Sequence, residues 1–413
     1  MHSPRTHHRA LAFTAAAAIT LGAGGGLMLT ACGDDNGSGG GLSPEELAYR
    51  ADVSASIATN VILPLYRTCA LDLDGLADAV EAWAADATES TAATARDAFG
   101  PAWLSWQRCE GLQLGPATMP AVSPGGEDLR DEIYAWPLSN TCRADIATAR
   151  LEYEGAVSNL LVSTRGLGIL EYLLFNESTA NTCPPNNAIN DGGEWAALTD
   201  DEIRQRRADY AAAIARHAAT QAAVLRDRWE PDGGNFLVNF TDFSASGRVV
   251  RNAQEALNII SNAMFYFEKE VKDMKMAQPA GLALCAAEVC PEALESRWAG
   301  LSAEAMAANL ETLAALYYGD LEADGSGTAL GFDDLLRAIG AGSVADAFEA
   351  GIDESRAALA ALPRPLDADA LAADPDALRD AYEGIRPLTT LLKTQFLSVL
   401  DLELPNRAEG DND

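Results

Sequence analysis

The sequence predicts an all-α protein built as two antiparallel helical bundles, and three features carry that reading. Alanine, leucine and glutamate dominate, while alternating β-branched runs are scarce. Apolar residues recur at helical spacing: Val250, Ala253, Leu257, Ile260, Met264, Phe267, Val271 and Met274 follow one another at intervals of three and four, a continuous seam along one long helix. Helix starts are marked as well. Ser43-Pro44-Glu45-Glu46 joins a cap residue, a proline at the first helical position and a capping-box glutamate, and Thr199-Asp200-Asp201-Glu202 repeats the device.

In chain order, residues 1–31 read as a signal peptide. Arg5, His7, His8 and Arg9 form a positive start, Ala10 to Leu29 form an apolar Ala/Gly-rich stretch, and Leu29-Thr30-Ala31-Cys32 resembles the lipobox of bacterial lipoproteins, which makes Cys32 the lipidated residue. Residues 32–43 form a polar, Gly-rich tether of the kind a lipid anchor needs. Gly33 after the cysteine, rather than aspartate, favours the outer membrane with the protein facing the periplasm. A plain signal peptide or a membrane anchor is the alternative.

Helices are expected at 44–69, 73–85, 89–113, 142–158, 166–176, 200–229, 246–276, 292–318, 332–339, 343–361 and 374–401, with loops rich in Gly, Pro and Asn at 114–127, 177–195, 230–243 and 319–331. The loop Pro231-Asp232-Gly233-Gly234-Asn235 lies near the middle. It divides the chain into an N-terminal bundle, 44–230, and a C-terminal bundle, 244–405. No short-period repeat is visible.

The full chain carries a charge of −32 and a pI near 4.3; loss of Arg5 and Arg9 with the signal leaves −34. Such a surface repels phosphate backbones and excludes nucleic acid as a partner. Seven cysteines less Cys32 leave six, an even number in an exported chain and so a disulfide framework. Cys285 and Cys290 make the plausible local bridge, and short loops favour Cys69 with Cys109 and Cys142 with Cys183. A thiolate metal site is the alternative, although no Cys-x-x-Cys pair exists.

The segment Arg165-Gly166-Leu167-Gly168-Ile169-Leu170-Glu171-Tyr172 looks like a metal-ligand helix whose histidine is missing. A His-x-x-Glu pair puts imidazole and carboxylate on one helix face; here Gly168 stands where the imidazole is needed. Of four histidines only His217 follows the signal, too few for a catalytic zinc site of the usual kind. His217 lies on a helical seam with Ile203, Arg207, Tyr210 and Ile214, where a hydrogen-bonded core histidine is the ordinary outcome. No nucleophile elbow, Walker loop or His-Glu-x-x-His helix occurs.

Asp320-Leu321-Glu322-Ala323-Asp324-Gly325-Ser326-Gly327 resembles the front half of a calcium loop, but Gly331 occupies the twelfth position, so an ordinary acidic loop is the stronger reading.

Trp103-Leu104-Ser105-Trp106-Gln107-Arg108-Cys109-Glu110 with Gly115-Pro116, then Tyr134-Ala135-Trp136-Pro137-Leu138, then Arg165 to Phe175, Ala256-Leu257-Asn258 and the acidic tail Gly410-Asp411-Asn412-Asp413, resemble in order and spacing the imelysin-like family over residues 45 to 405. The resemblance implies two bundle-like domains related by weak duplication, with a cleft between them near the Gly-x-His-x-x-Glu motif. That family is named for a peptidase, and other members resemble components of bacterial iron uptake.

The resemblance makes Glu171, Glu110, Arg165 and Gly168 the candidate ligand or cation cleft, with Glu171 and Glu110 as the metal candidates. For Glu171 the alternative is a structural ion pair with Arg165; for Glu110 it is a surface or capping carboxylate. Trp103, Trp106 and Trp136 are expected as core or cleft wall. Carboxylate-only sites favour hard cations such as iron. The resulting expectation is a non-catalytic binding component of iron or other cation uptake, anchored by lipid at the bacterial envelope, with an envelope protein as a further partner. The alternatives are a helical lipoprotein acting through protein contacts and a degenerate imelysin-type metallopeptidase.

Overall fold

Ser43 caps the first helix as its sequence requires. Its Oγ accepts from the Glu46 N–H at 3.2 Å and the Glu46 carboxylate accepts from the Ser43 N–H at 2.8 Å. The computed structural model describes residues 42–405; the expected signal peptide, Cys32, the expected tether through residue 41 and the acidic tail lie outside the described residues. Helix α1 (Pro44–Ile57) passes through a π-helical turn (Ala58–Ile62) into α2 (Leu63–Ala85). The break expected between residues 69 and 73 does not occur. The helix instead widens just ahead of Pro64, whose ring lacks the N–H that an α-turn would use.

The first half continues through α3 (Glu89–Glu110), α4 (Leu129–Ile133), α5 (Thr141–Arg150), α6 (Leu167–Phe175), α7 (Ala188–Asp191) and α8 (Asp200–Trp229). After α9 (Val238–Thr241), α10 (Ala253–Tyr266) leads into a π-helical stretch (Phe267–Ala277). There follow α11 (Ser302–Tyr318), α12 (Phe332–Ala338), α13 (Gly342–Ala360), α14 (Ala368–Ala373), α15 (Pro375–Leu391), a π-turn (Leu392–Phe396) and α16 (Leu397–Leu400). Among the described residues extended pairing is limited to one isolated bridge, Leu301 with Leu366.

Three expected helices are shorter than their apolar periodicity suggests. The one placed at 142–158 stops at Arg150, because Leu151 takes a left-handed conformation (φ 56°). The one placed at 246–276 starts at Ala253. Asn239 Oδ1 draws the N–H groups of Val249 and Val250 out of helical register, at 2.7 and 3.2 Å, and Asn252 then caps the helix through the Glu255 N–H. The one placed at 292–318 starts at Ser302. Between Ala293 and Ser302 the chain is irregular and turns at Gly300 (φ 72°), where a Cβ would lie 2.6 Å from Pro365.

Helix α2 packs along α8 and α3, α11 packs on α3 and α13, and α13 packs on α15. Contact between α3 and α11 joins the two halves. Helix α1, which the sequence groups with the first half, packs on α10 and α12 instead, and Arg50 donates to Gln254 at 2.8 Å and to the Leu400 carbonyl at 2.9 Å. One continuous apolar core, from Val53 to Leu402, therefore runs through both halves; Ile189, Trp195 and Ile203 form a small satellite.

The disulfides are Cys69–Cys109, Cys142–Cys183 and Cys285–Cys290, the pairing that short loops favour. None of the described helices is long and apolar enough to cross a membrane.

Candidate functional site

Two glycines open α6 for different reasons. Gly166 has φ 79°, and a Cβ there would sit 2.6 Å from the Ile133 carbonyl oxygen, so the position tolerates only glycine. At Gly168 a Cβ would lie 2.5 Å from Ser139 Oγ and 3.5 Å from the Tyr134 ring. The place of the motif side chain is thus taken by Ser139 from the loop after α4, and no open notch remains.

Glu171, one turn further on, is 1 % exposed. Its Oε1 accepts three hydrogen bonds, from Ser296 Oγ at 3.0 Å and from the backbone N–H groups of Trp298 and Ala299 at 2.9 and 2.8 Å. The carboxylate caps the irregular segment between Ala293 and Ser302, whose own N–H groups have no helical partner. Burial pushes its pKa up to about 7 against the opposing pull of these bonds, with Glu295 adding a further push.

Arg165 does not pair with Glu171, contrary to the ion-pair expectation. Its guanidinium pairs with Glu132 and donates to the carbonyls of Ser158 and Leu160 at 2.8 and 2.9 Å. His217 Nε2 lies 2.8 Å from the other oxygen of Glu132. His217, the one histidine among the described residues, is therefore tied to Glu132 and through it to Arg165, apart from Glu171.

Glu110, at the end of α3, is buried rather than a surface carboxylate, and its Oε1 accepts from Arg130 Nε and Nη2 at 2.8 and 2.5 Å. Arg130 also donates to Asp131 and to the Trp136 carbonyl. The α3 terminus is held by α11, whose Asn309 and Thr312 side chains bond the carbonyls of Gln107 and Arg108 at 2.6 and 2.8 Å. This places Gln107 and Glu110 at the junction of the halves.

A second charged pair lies there. Lys275, from the π-helical stretch, places Nζ 2.8 Å from each of Glu295 Oε1, Gln107 Oε1 and Asn309 Oδ1. Tyr134 Oη donates to Glu295 Oε1 at 2.6 Å and Gln107 Nε2 to the same oxygen at 3.0 Å. The rings of Trp136 and Tyr266 lie 5.6 and 5.2 Å from the ammonium. Burial lowers the Lys275 pKa against Glu295 and Glu110, and raises that of Glu110 against Arg130. Burial and Glu295 together raise Tyr134.

Glu110 Oε2 and Glu295 Oε2 are buried with no hydrogen-bond partner. Buried polar atoms are ordinarily satisfied, so two orphan carboxylate oxygens in one network mark a site with spare acceptor capacity. Glu295 acts electrostatically on both Glu110 and Glu171; no direct bond joins those two. Trp103 and Trp106 are core residues, and Trp136 lines the network.

The arrangement pairs each buried carboxylate with a buried cation and does not fit a catalytic zinc. Position 168 has no imidazole, and His217 belongs to a separate cluster. Among the described residues no three His, Cys, Asp or Glu side chains gather in metal-holding geometry. The calcium-like loop forms short turns instead, with Asp320 accepting from the Ala323 N–H and Asp324 from the Ser326 N–H.

Sequence reasoning missed Arg130, Lys275, Glu295 and Asn309. One signal for Lys275 exists: the chain has four lysines, Lys269, Lys272, Lys275 and Lys393, against twenty-five arginines, and three of the four fall within one helical stretch. A compact ammonium fits an oxygen cage that a planar guanidinium would not.

The imelysin family model matches residues 62–395, and the chain belongs to that family. Its fold is similar to two crystal structures. One is a provisionally assigned iron-regulated protein A precursor from Parabacteroides distasonis (TM-score 0.68, 18 % identity, 88 % of this chain and 96 % of that one). The other is an imelysin-like protein from Psychrobacter arcticum (TM-score 0.63, 19 % identity, 88 % and 98 %). No curated protein matches significantly.

Proposed function

We propose that this chain is an exported, lipid-anchored member of the imelysin family that acts as a non-catalytic binding component of iron or other hard-cation handling at the bacterial envelope. Cys32 carries the lipid, residues 33–43 tether the helical body, and the outer membrane, periplasmic side, is its place. The observation that carries the binding reading is the pair of orphan oxygens on Glu110 and Glu295, buried among further oxygen donors. A relative in fold whose description includes iron regulation supports the choice of iron.

Metal content after purification without chelator, followed by thermal melts with Fe³⁺, Mn²⁺ and Zn²⁺, tests it. Stoichiometric metal or a saturable rise in melting temperature is expected, reduced in Glu110→Gln and Glu295→Gln. Neither metal nor stabilisation in the wild type would end the reading. For the anchor, Cys32→Ser is expected to release the protein from membranes.

A second reading rests on Arg130 and Lys275, which already compensate the two carboxylates. It makes the chain a helical envelope lipoprotein that works through a protein partner, with the charged network serving to join its halves. A partner retained by protein that binds no metal would favour it.

A further inference from the structure

Leu284 is the most exposed large apolar side chain among the described residues, at 90 %, and Leu282 beside it is 47 % exposed. Ala283, Ala286 and Ala287 complete an apolar tip, and residues 276–287 carry no charge in a chain whose net charge is −32. The root of this loop is pinned. Arg379 of α15 donates to the carbonyls of Ala280 and Glu288 at 3.1 and 2.9 Å, the Cys290 N–H donates to the Pro279 carbonyl at 3.0 Å, and the Cys285–Cys290 disulfide closes the frame. Leu284 itself takes a left-handed conformation (φ 50°), against the steric preference of a leucine. Two leucines are thus presented to solvent on a preformed frame, and the rest of the chain does not relieve the cost of their exposure.

The direction of α1 says what lies opposite the tip. Arg50 bonds Gln254, and Ser54, one turn further on, bonds the Phe240 carbonyl, which lies ahead of α10 because the neighbouring Asn239 holds Val249 and Val250. Helix α1 therefore runs antiparallel to α10, and its N-terminus faces the end of the molecule where the π-helical stretch gives way to the loop. Helical rise leaves roughly 25 Å between Ser43 and the level of Ala277, whereas the residues between Cys32 and Ser43 can span roughly 35 Å. Helix α2 continues the α1 rod in the other direction and carries Leu71 toward the opposite end.

We propose that the Leu282–Leu284 tip is a second membrane contact, inserted at the boundary between the headgroups and acyl chains of the bilayer that holds Cys32. The proposal rests on the lipid-anchor reading above and adds an orientation to it, with the loop end of the body on the bilayer and the α2 end away from it. An uncharged tip enters this boundary without desolvating a charge. Its exposed acidic flanks, Glu288 and Glu292, favour zwitterionic over anionic lipid. A short tip of this kind binds weakly alone, and the tether supplies the effective concentration that makes the contact persist. A second copy of the chain is a poorer occupant, because each copy carries the same large negative charge.

A tryptophan at the tip reads the contact directly. The full anchored chain, reconstituted into vesicles of phosphatidylcholine and phosphatidylethanolamine, is compared as Leu284→Trp and as Leu71→Trp, whose site on α2 is 68 % exposed. Emission added by Leu284→Trp over the wild type is expected to shift to the blue and to be lost when the acyl chains are brominated. Ala286→Trp on the same loop is expected to follow it, and Leu71→Trp to show neither change. Protein that floats with the vesicles while neither loop tryptophan is quenched more than Leu71→Trp overturns the tip contact and leaves the anchor standing. A blue shift without bromine quenching, together with an oligomer that Leu284→Asp dissociates, assigns the tip to a second copy and overturns the contact as well. Protein that does not float with the vesicles overturns both readings.

Discussion

Glu171 Oε1 lies 2.8 Å from the backbone nitrogen of Ala299, a contact between residues 128 positions apart in sequence. It makes the carboxylate of the degenerate motif a cap for the segment that carries Glu295. The role needs an acceptor, not a charge. Glu171→Gln is therefore expected to fold with near wild-type stability at acidic pH. Glu171→Ala strands two backbone donors and a hydroxyl at a cost of about 1–3 kcal/mol each. Denaturant unfolding of the two variants side by side distinguishes an acceptor role from a charge role.

The same residue predicts a pH dependence. Its pKa is raised from 4.5 to about 7 by burial, so the folded protein holds this proton more tightly than the unfolded chain. Its contribution is then complete below about 4.5 and is lost as pH rises through about 7. Relative to Glu171→Gln, the wild type should lose stability on the order of 3 kcal/mol across this window. A difference that does not vary with pH would mean the carboxyl titrates normally.

Gly166 and Gly168 should respond differently to alanine. Gly166→Ala forces a side chain into a left-handed conformation against the Ile133 carbonyl and is expected to cost about 2 kcal/mol or more. Gly168→Ala meets only the tip of Ser139, which can rotate, and gains helix propensity of about 1 kcal/mol, so it should be close to neutral. Thermal melts of both variants test the contrast.

Lys275 and Glu295 form a fully buried pair. Lys275→Met leaves Glu295 uncompensated and is expected to cost about 3–5 kcal/mol, much of it recovered in the double variant with Glu295→Gln. A double-mutant cycle by chemical denaturation measures the coupling; additive losses would show that the pair is not a unit.

Among the disulfides, Cys69–Cys109 and Cys142–Cys183 close loops of 40 and 41 residues, and Cys285–Cys290 closes one of 5. On chain entropy, replacing both cysteines by alanine should cost about 4 kcal/mol for either long loop and about 2 kcal/mol for the short one. Equal losses in unfolding experiments would point to native-state packing instead.

Local signals determined much of this protein. The caps at Ser43 and Thr199, the seam from Ala253 to Met274 and the short spacings of the cysteine pairs are properties of nearby residues, and the helices and disulfides follow from them. The vacancy at Gly168 was also legible, as was the shortage of imidazole that argues against a catalytic zinc. Tertiary structure decided the rest. Residues 292–301 have helical composition, yet Gly300 turns against Pro365 and Glu171 captures their backbone donors, so propensity yields to long-range hydrogen bonds. The cage around Lys275 gathers Gln107, Glu295 and Asn309 from three separate segments, and Ser139 fills the place of the missing side chain. No spacing rule records such meetings, because burial and the pairing of distant charges exist only once the two halves have packed.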